Sequence, residues 1–408
     1  MKLAGIITFS CILCLSVEAQ MVHTVSPADS IQIIVDNSSP GDTILFTAGI
    51  YQQPVLKIEK ALVLTGEVGA TLDGSAGQRL VEIYADDVEI SSLTFRNVPK
   101  TFVDDRSAIR VESASNCRIE DNVFDNTFFA VYLANADTCQ ITGNTMRTYA
   151  RRESEGGNAI HSWYSRELLI SDNKIVGHRD GIYLEFTKDS VVRNNTSTSN
   201  LRYGLHFMFS DRCRYENNIF DNNGAGVAVM YANDIGMVGN TFSDAWGPAS
   251  YGLLLKEIKG GEVGGNTFTG NSVALLVEGT DRLSFDGNTF ENNGWGIKLM
   301  ANSTDNEFTR NAFMGNSFDL STNSLTAPST FRGNYWDRYR GYDLDRDGVG
   351  DIPFRPVRLF SVIVEKYEAS LILLHSVLVD ALDAAERIIP ALTPDQLIDA
   401  EPLMRRPA

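Results

Sequence analysis

The chain has 408 residues, 43% of them hydrophobic, and a formal net charge of −17 at pH 7. This charge argues against nucleic acid or an anionic membrane surface as a partner, because both repel an acidic protein. The length exceeds that of a typical single domain, and no Walker motif for nucleotide binding is present.

The N-terminal 57 residues divide into a predicted export signal and a predicted cap. Residues 1–19 resemble a signal peptide, with Lys2 ahead of an apolar run and Val17-Glu18-Ala19 as the cleavage site. Residues 20–57 contain a short apolar stretch from Ile31 that predicts a helix. A cap is expected because the open end of a solenoid is an exposed sheet edge.

Within the predicted solenoid, residues 58–338, a phrase of asparagine, any residue and a large apolar residue recurs from Asn122 to Asn334. Successive copies are mostly 22 or 23 residues apart, a period typical of a solenoid. The asparagines are Asn122, Asn144, Asn173, Asn195 (in a weaker copy), Asn218, Asn240, Asn266, Asn288, Asn311 and Asn334. At one corner of successive coils they are predicted to stack as a ladder of amides.

Two short segments in each repeat alternate apolar and other residues, which is the period of a β-strand. Leu168/Ile170 and Gly181–Leu184 are examples. The predicted fold class is an all-β, right-handed parallel β-helix of about 22–23 residues per coil, with an N-terminal helical cap and a C-terminal α-helical extension.

Three cysteines follow the predicted signal peptide, and Cys117, Cys139 and Cys213 occupy the same inward position of the repeat. Cys117 and Cys139 lie one coil apart, close enough for a disulfide. Parallel side chains in adjacent coils rarely meet the dihedral requirement, so buried thiols and a bridge both stay open.

An acidic loop is predicted at 339–356. Its spacing matches the start of a calcium loop, and the expected ligands are Asp343, Asp345, Asp347, Val349 through its carbonyl group, and Asp351. Position 12 is Phe354 instead of Glu, so the usual bidentate ligand is missing. The alternative is a solvated acidic turn.

Residues 357–408 change to a helical pattern, with leucines on one side at Leu371, Leu374, Leu378 and Leu382. The charge-free stretch is too short to span a bilayer. These amphipathic helices either fold back on the last coil or dock on another subunit, such as a membrane protein.

The outward face of the second strand of each repeat is unusually rich in aromatic and thioether groups. Such a patch indicates an interaction surface, here a partner-binding face. It comprises Trp163, Tyr164, Tyr183, Phe186, Phe209 and Tyr231. A soft donor set that suits Cu(I) lies within it, formed by His206, Met208 and Met230 with Glu185 and His161 nearby. A plain protein contact explains the same residues.

A polysaccharide-modifying groove is a further hypothesis, which requires a base or paired carboxylates beside a substrate. The candidates are Asp86-Asp87, Asp104-Asp105 and His178-Arg179-Asp180, with the insertion 151–155 as a clamp. None of them has a supporting constellation in the sequence.

Several longer strings resemble the NosD family, whose members are periplasmic accessory proteins for the maturation of nitrous-oxide reductase. These strings are Tyr203–Met208, Gly224–Tyr231, Trp246–Glu257, Asn334–Asp337 and Pro390–Pro394. The resemblance implies a protein of the periplasm that is not an enzyme and that serves assembly of the copper–sulfur centre.

The resemblance also implies the partners: an ABC-type permease and ATPase, a copper-carrying lipoprotein and the reductase itself. The C-terminal helices would then hold the protein at the membrane through the permease. A polysaccharide-binding or polysaccharide-modifying β-helix is the alternative.

Overall fold

The computed structural model of the chain describes residues 20–75, 77, 79–101, 103–324, 329–374, 376–389 and 397–407. The predicted signal peptide and the string 390–394 lie outside these residues. The described chain is a parallel β-solenoid with a few helices, which confirms the fold class predicted from the repeat.

Three columns of parallel strands run along the solenoid. The front column comprises Leu56–Ile58, Val81–Ile83, Ser107–Glu112, Phe129–Ala134, Ile160–Trp163, Asp180–Glu185, Tyr203–Met208, Ala225–Val238, Tyr251–Gly264, Val273–Glu278, Trp295–Leu299 and Phe318–Thr322. The side column comprises Val22–Val25, Thr43–Phe46, Val63–Gly66, Glu89–Ser91, Arg118–Glu120, Gln140–Thr142, Leu169–Ser171, Val191–Arg193, Arg214–Glu216, Asp281–Asp286, Glu307–Thr309 and Thr330–Arg332.

The rear column forms a separate sheet of 13 strands. It comprises Gly49–Tyr51, Ala70–Asp73, Thr94–Val98, Val123–Thr127, Thr145–Arg147, Lys174–Val176, Thr196–Thr198, Ile219–Asp221, Thr241–Ser243, Thr267–Thr269, Thr289–Glu291, Ala312–Met314 and Tyr335–Trp336. Ala225–Val238 and Tyr251–Gly264 are long strands that continue from the front into the side column, and they join these two columns into one sheet.

Alternate strand residues point into the solenoid, where like side chains stack from coil to coil. In the rear column the buried rings of Phe242, Phe268, Phe290 and Phe313 are nearly parallel, with successive centroids 4.6, 4.9 and 4.8 Å apart. Burial of one such ring stabilises the fold by about 1.5–3 kcal/mol. The core is therefore one continuous apolar column.

The predicted asparagine ladder is confirmed at the corner between the side and rear columns. The amide Nδ2 of each ladder residue from Asn122 to Asn311 donates to Oδ1 of the next at 2.9–3.2 Å. The backbone N–H of each also donates to that oxygen. Buried polar groups are costly unless they are paired, and here they are paired from coil to coil.

A second, interrupted ladder runs along the corner between the rear and front columns. Asn200 donates to Asn223, and Asn271 donates through Asn293 to Asn316. Each residue follows a first-ladder asparagine by five positions, a spacing present in the sequence that the prediction of a single ladder overlooked. At this position His178 replaces an asparagine, and its backbone N–H donates to Asn200 Oδ1.

The solenoid begins earlier than the predicted boundary at residue 58. Val22–Val25 already pairs in parallel with Thr43–Phe46, which pairs with Val63–Gly66. The predicted helix is present as α1, Ile31–Asn37, and it buries Ile31 and Val35. Residues 20–57 thus cap the stack and also supply its first strands, because short coils without the asparagine phrase still alternate apolar residues.

Two helices cover the outer side of the last front-column coils. Helix α2 spans Leu359–Lys366, a 3₁₀ turn spans Glu368–Leu373 and α3 spans Val377–Ile388. Phe360, Val364 and Val379 pack against the outward rings of Trp295 and Phe318. The extension therefore folds back on the solenoid, which is the first of the two predicted alternatives.

The described tail 397–407 returns to the solenoid and ends the asparagine ladder. Asn334 donates to the buried carboxylate of Asp399 through its backbone N–H at 2.9 Å and through Nδ2 at 3.0 Å. Trp336 Nε1 and the backbone N–H of Gly333 also donate to this carboxylate. Predicting docking helices throughout 357–408 was therefore wrong for this tail, which is a structural cap. A carboxylate suits the last rung because it only accepts hydrogen bonds.

Cys117, Cys139 and Cys213 are buried free thiols. Of the two predicted alternatives, the structure therefore has buried thiols and no disulfide between Cys117 and Cys139. Burial raises the pKa of the Cys213 thiol to about 11, so this thiol stays protonated near neutral pH.

Candidate functional site

The front column carries the candidate site on its outward face, in the coils between residues 158 and 231. Strand register places Tyr132, His161, Tyr183, His206 and Ala228 one above another. The second outward row, two residues further along each strand, places Trp163, Glu185, Met208 and Met230 one above another. The structure therefore brings the predicted residues onto one face, although His161 and His206 stand two coils apart.

His206 is on the outward face and yet only 6% of its surface is exposed. The rings of Tyr183 and Tyr203 each lie 4.8 Å from the imidazole, measured between ring centroids. Neither ring nitrogen of His206 has a hydrogen-bond partner among the described residues. Burial lowers the pKa of His206 to about 4, so the ring is neutral near pH 7.

An unpartnered, buried imidazole is unfavourable, because a polar group loses its water without gaining a protein partner. Met208 and Met230 are neighbours in the same row, on adjacent coils. The sulfur of Met208 lies 3.9 Å from Tyr183 Oη. A neutral imidazole beside two thioethers is a soft donor set that fits Cu(I). The carboxylate of Glu185, one coil below Met208, is a harder donor.

Hydrogen bonds fix His161 in a different role. Arg179 Nη2 donates to Asn158 Oδ1 at 3.1 Å, so the amide nitrogen of Asn158 faces His161 Nδ1 at 3.0 Å and donates to it. His161 therefore carries its proton on Nε2. Burial lowers its pKa to about 3, which keeps this tautomer neutral. Since Nδ1 accepts from Asn158 and Nε2 carries the proton, neither nitrogen of this tautomer offers a free lone pair to copper.

A pair of tyrosines that the sequence patterns did not indicate covers the site. Tyr251 Oη donates to Tyr203 Oη at 3.2 Å, although these residues stand two coils apart. The small Ala225 lies in the coil between them and leaves room for the rings to lean together. The strings Tyr203–Met208 and Trp246–Glu257 contain these tyrosines, but their spacing gives no hint of the contact.

The predicted aromatic partner face forms a column at the corner that follows the front strands. It comprises Tyr164, Phe186, Phe209 and Tyr231, called here the aromatic column. Successive ring centroids are 4.5, 5.1 and 5.1 Å apart and the rings are nearly parallel. Trp163 meets Tyr164 edge-on at 4.7 Å. Of the partner-face residues, Tyr183 instead lies in the His206 row.

The acidic loop gathers three of its predicted ligands. Ligand oxygens of Asp343, Asp345 and Asp347 lie within 4.8 Å of one another. Asp351 Oδ2 instead accepts the backbone N–H of Leu344 at 2.7 Å. The tail holds this loop, since Met404 N–H donates to the carbonyl of Gly348 at 2.9 Å.

The carboxylates considered for sugar chemistry are dispersed. Asp180 is fully buried and forms a two-point ion pair with Arg202. Asp104 and Asp105 instead line a cavity of about 460 Å³ with Phe129, His161 and residues of the insertion, including Glu153. The insertion thus stands beside the front face, as predicted. Asp180 is not part of the cavity that Asp104 and Asp105 line, so these carboxylates do not share one groove.

The four leucines of the C-terminal segment divide into two groups. Leu374 and Leu382 pack against the cluster around Trp295, whereas Leu371 and Leu378 are exposed. The 3₁₀ turn between the two helices also exposes Ile372, and α3 exposes Val377 and Ile388. Among the described helices, none is long and apolar enough to cross a membrane.

Comparison with known proteins finds a matching family model and related proteins. A family model described as "Periplasmic copper-binding protein (NosD)" matches residues 139–341. A protein of Pseudomonas aeruginosa, named "Probable ABC transporter binding protein NosD", is 29% identical over 370 residues, covering 86% of each chain. The chain is similar to NosD proteins over most of its length. A NosD of Stutzerimonas stutzeri with the same name is 26% identical over 380 residues, covering 88% of this chain and 86% of its own.

Solved structures support the fold of this chain. The catalytic unit of an α-1,3-glucanase from Streptomyces thermodiastaticus superimposes with a TM-score of 0.60 and 13% identity, covering 76% of this chain and 65% of its own. A family 28 exopolygalacturonase of Yersinia enterocolitica gives a TM-score of 0.54 and 12% identity, over 76% of this chain and 78% of its own. At this identity the likeness shows a shared β-solenoid and nothing about activity.

Proposed function

We propose that this protein is a non-enzymatic periplasmic platform for assembly of the copper–sulfur centre of nitrous-oxide reductase. The observation that carries the proposal is His206, whose neutral ring has no hydrogen-bond partner in the described part of the chain and which lies on the same face as Met208 and Met230. The description of the family as copper-binding and periplasmic supports it. In this function copper is cargo, received from a copper-carrying lipoprotein and passed to the reductase.

Competition for Cu(I) with a chromogenic chelator tests the copper part of this proposal. Methionine-to-leucine changes keep side-chain volume and remove the thioether. We expect H206A, M208L and M230L each to weaken Cu(I) binding at least tenfold. The control M300L changes a methionine outside the site and keeps wild-type binding. Unchanged affinity in all three site variants contradicts the copper assignment, as does a fully copper-loaded reductase formed with M208L/M230L.

The C-terminal helices supply the second part of the platform, a dock for an ABC-type permease and its ATPase. Leu371, Ile372 and Leu378 are apolar side chains that are 36%, 89% and 56% exposed. Such a patch marks a surface that another protein covers. The names of both relatives, which describe binding to an ABC transporter, support this assignment.

Co-purification from detergent-solubilised membranes tests the dock. Truncation after Phe354 is unsuitable because it also removes Asp399 and its cap. We therefore choose the triple variant L371S/I372S/L378S, which leaves the packed Leu374 and Leu382 in place. The wild type is expected to retain the permease and ATPase and the triple variant to lose them. Retention by the triple variant contradicts docking through these helices.

The acidic loop is a proposed structural Ca²⁺ site and not a catalytic one. Asp343, Asp345 and Asp347 supply clustered oxygens, the ligands that Ca²⁺ prefers. Its contact with the tail through Gly348 and Met404 means that an ordered loop steadies the cap.

A further inference from the structure

A cavity of about 460 Å³ opens on the front face beside His161, two coils away from His206. Its volume lies within the range of about 300–1,000 Å³ that is usual for small-molecule sites. Two long loops between the rear and front columns form its walls. The first loop comprises residues 99–101 and 103–106, and the second comprises residues 148–159. The cavity is therefore a separate space from the candidate copper site.

The length of the coils explains why the cavity lies at this level. The coil that starts at Leu93 and the coil that starts at Asn144 each have 29 residues, whereas the coil between them, which starts at Asn122, has 22. The two long coils place their extra residues in the two loops. The short coil has no such loop, so its Phe128 and Phe129 line the floor between two walls.

The floor carries two hydrogen-bond donors that have no acceptor among the described residues. Nδ1 of His161 accepts from Asn158, and the rings of Tyr132 and Tyr183 lie over the imidazole at 4.4 and 4.9 Å between centroids. The edge that remains for the cavity carries the Nε2 proton, although only 9% of His161 is exposed. Nε of Arg179 is also buried without a partner on this floor. An anionic group of a ligand satisfies both donors.

The walls of the cavity are acidic. Asp104 is already paired, because its carboxylate accepts from Arg106 Nε at 3.2 Å. Asp105 of the first loop and Glu153 of the second have no such partner for their carboxylates among the described residues. Like charges that face one space favour a cationic group between them. Only the acidic loop, within the described chain, gathers three ligand atoms for one metal ion, so an ammonium group suits these walls better.

The cavity thus offers donors and a guanidinium on its floor and free carboxylates on its walls. We propose that it binds a free amino acid as the zwitterion. The carboxylate of the amino acid binds Arg179 and His161, and arginine pairs with a carboxylate through two parallel hydrogen bonds. The ammonium group lies between Asp105 and Glu153. This site goes beyond the proposed function, because it uses neither copper nor the thioethers.

A neutral sugar is the competing ligand, and the cavity fits it less well. A sugar needs an open aromatic face to cover its apolar side, but Phe129 is only 3% exposed and Phe128 meets it edge-on at 5.0 Å. Hydroxyl groups carry no charge, so a sugar leaves the acidic walls without a cation. An amino acid matches both signs of charge.

The first test screens the common free amino acids against the purified protein by thermal unfolding, because a ligand that binds only the folded state raises the midpoint. Calorimetry then measures L-leucine, whose apolar side chain suits the surfaces of Val103 and Phe128. Isocaproate lacks the ammonium group of leucine, and isoamylamine lacks its carboxylate. We expect leucine to bind and each analogue to bind at least about tenfold more weakly.

The matched variants are D105N/E153Q in the walls and E155Q/E167Q outside the cavity. Each double removes two negative charges and keeps polar side chains, so both are expected to unfold at the wild-type temperature. Only D105N/E153Q should lose affinity for leucine, by about tenfold or more. R179K keeps the positive charge but loses the planar guanidinium, so it should weaken leucine binding and leave isoamylamine binding unchanged.

The inference falls if no amino acid raises the midpoint, if an analogue binds as tightly as leucine, or if folded D105N/E153Q keeps its affinity. Tighter binding of leucyl-leucine makes a peptide the ligand, and binding of maltose without leucine makes a sugar the ligand; either result also overturns it. Cu(I) affinity is measured in D105N/E153Q as a separate reading and is expected to stay at the wild-type value. Failure of Cu(I) binding at His206 removes the copper site and leaves the result with leucine standing.

Discussion

The asparagine corner and the outward face of the front column belong to the same coils, yet they treat polar groups in opposite ways. At the corner, each amide from Asn122 to Asn334 donates to the next rung, and Asp399 completes the row. On the front face, His206 is buried without a partner among the described residues, and the aromatic column is strained. The asparagine corner stabilises the fold. The front face indicates a functional site, because residues that break the rules of local structure concentrate at such sites.

Breaking the regular corner should have the largest effect. Asn218→Ala removes the acceptor of two Asn195 donors and the donor to the carbonyl of Val192. Buried groups left unpaired cost about 1–3 kcal/mol each, so we expect about 3 kcal/mol of lost stability. Urea denaturation measures it. The control Asn233→Ala removes hydrogen bonds from an exposed side chain and should cost under about 0.5 kcal/mol. Equal losses in both variants would contradict a special role for the ladder.

Calcium should stabilise the end of the solenoid that Asp399 closes. A ligand that binds the folded state alone adds about 2.7 kcal/mol at 100 times its Kd. We expect the thermal midpoint to rise with added Ca²⁺ and to return to its starting value with chelator, as followed by calorimetry. D345N should abolish the rise, whereas D281N, away from the loop, should keep it. A rise that persists in D345N would place the ion elsewhere.

Acid should destabilise the front face through His206. An unfolded histidine protonates near pH 6.5, whereas burial lowers the folded pKa of His206 to about 4. Above pH 6.5 the ring is neutral in both states and contributes nothing. Between pH 6.5 and 4 only the unfolded state gains the proton, so stability falls by about 1.4 kcal/mol per pH unit.

The variant His206→Gln removes this dependence. The free energy of unfolding is measured by urea denaturation at pH 7, 6 and 5. Between pH 7 and pH 5 it should fall by about 2 kcal/mol less in the variant than in the wild type. The variant keeps a residual slope, because burial also lowers the pKa of His161 and of His178, each to about 3. Parallel pH profiles for the two proteins would show that His206 is not buried in solution.

Repairing an interrupted rung should have the smallest effect. His178 is fully buried, and neither of its ring nitrogens has a hydrogen-bond partner among the described residues. His178→Asn places an amide where Asn200 offers its Oδ1 as acceptor, so we expect a gain of about 1 kcal/mol. Denaturant unfolding measures it, with His178→Leu as the control that lacks an amide. A loss in the asparagine variant that exceeds the loss in the leucine variant would contradict the comparison.

The repeat made most of the solenoid predictable. The asparagine phrase, for example at Asn218 and Asn240, recurs once in each coil. Each asparagine therefore stacks on the nearest copy in the sequence. The same reasoning correctly placed His206, Met208 and Met230 on one face, because register in a stacked strand follows directly from the period. The N-terminal coils lack the phrase, and the boundary at residue 58 was accordingly too late.

What the sequence by itself determined is the period, the inward and outward sides of each strand and the asparagine corner, because these depend on contacts between adjacent coils. The tertiary structure decided three other features. Asp399 reaches Asn334 across 65 residues, Tyr251 reaches Tyr203 across 48, and packing on Trp295 divides the C-terminal leucines. These contacts join segments that no repeat relates, so their geometry depends on the whole folded chain.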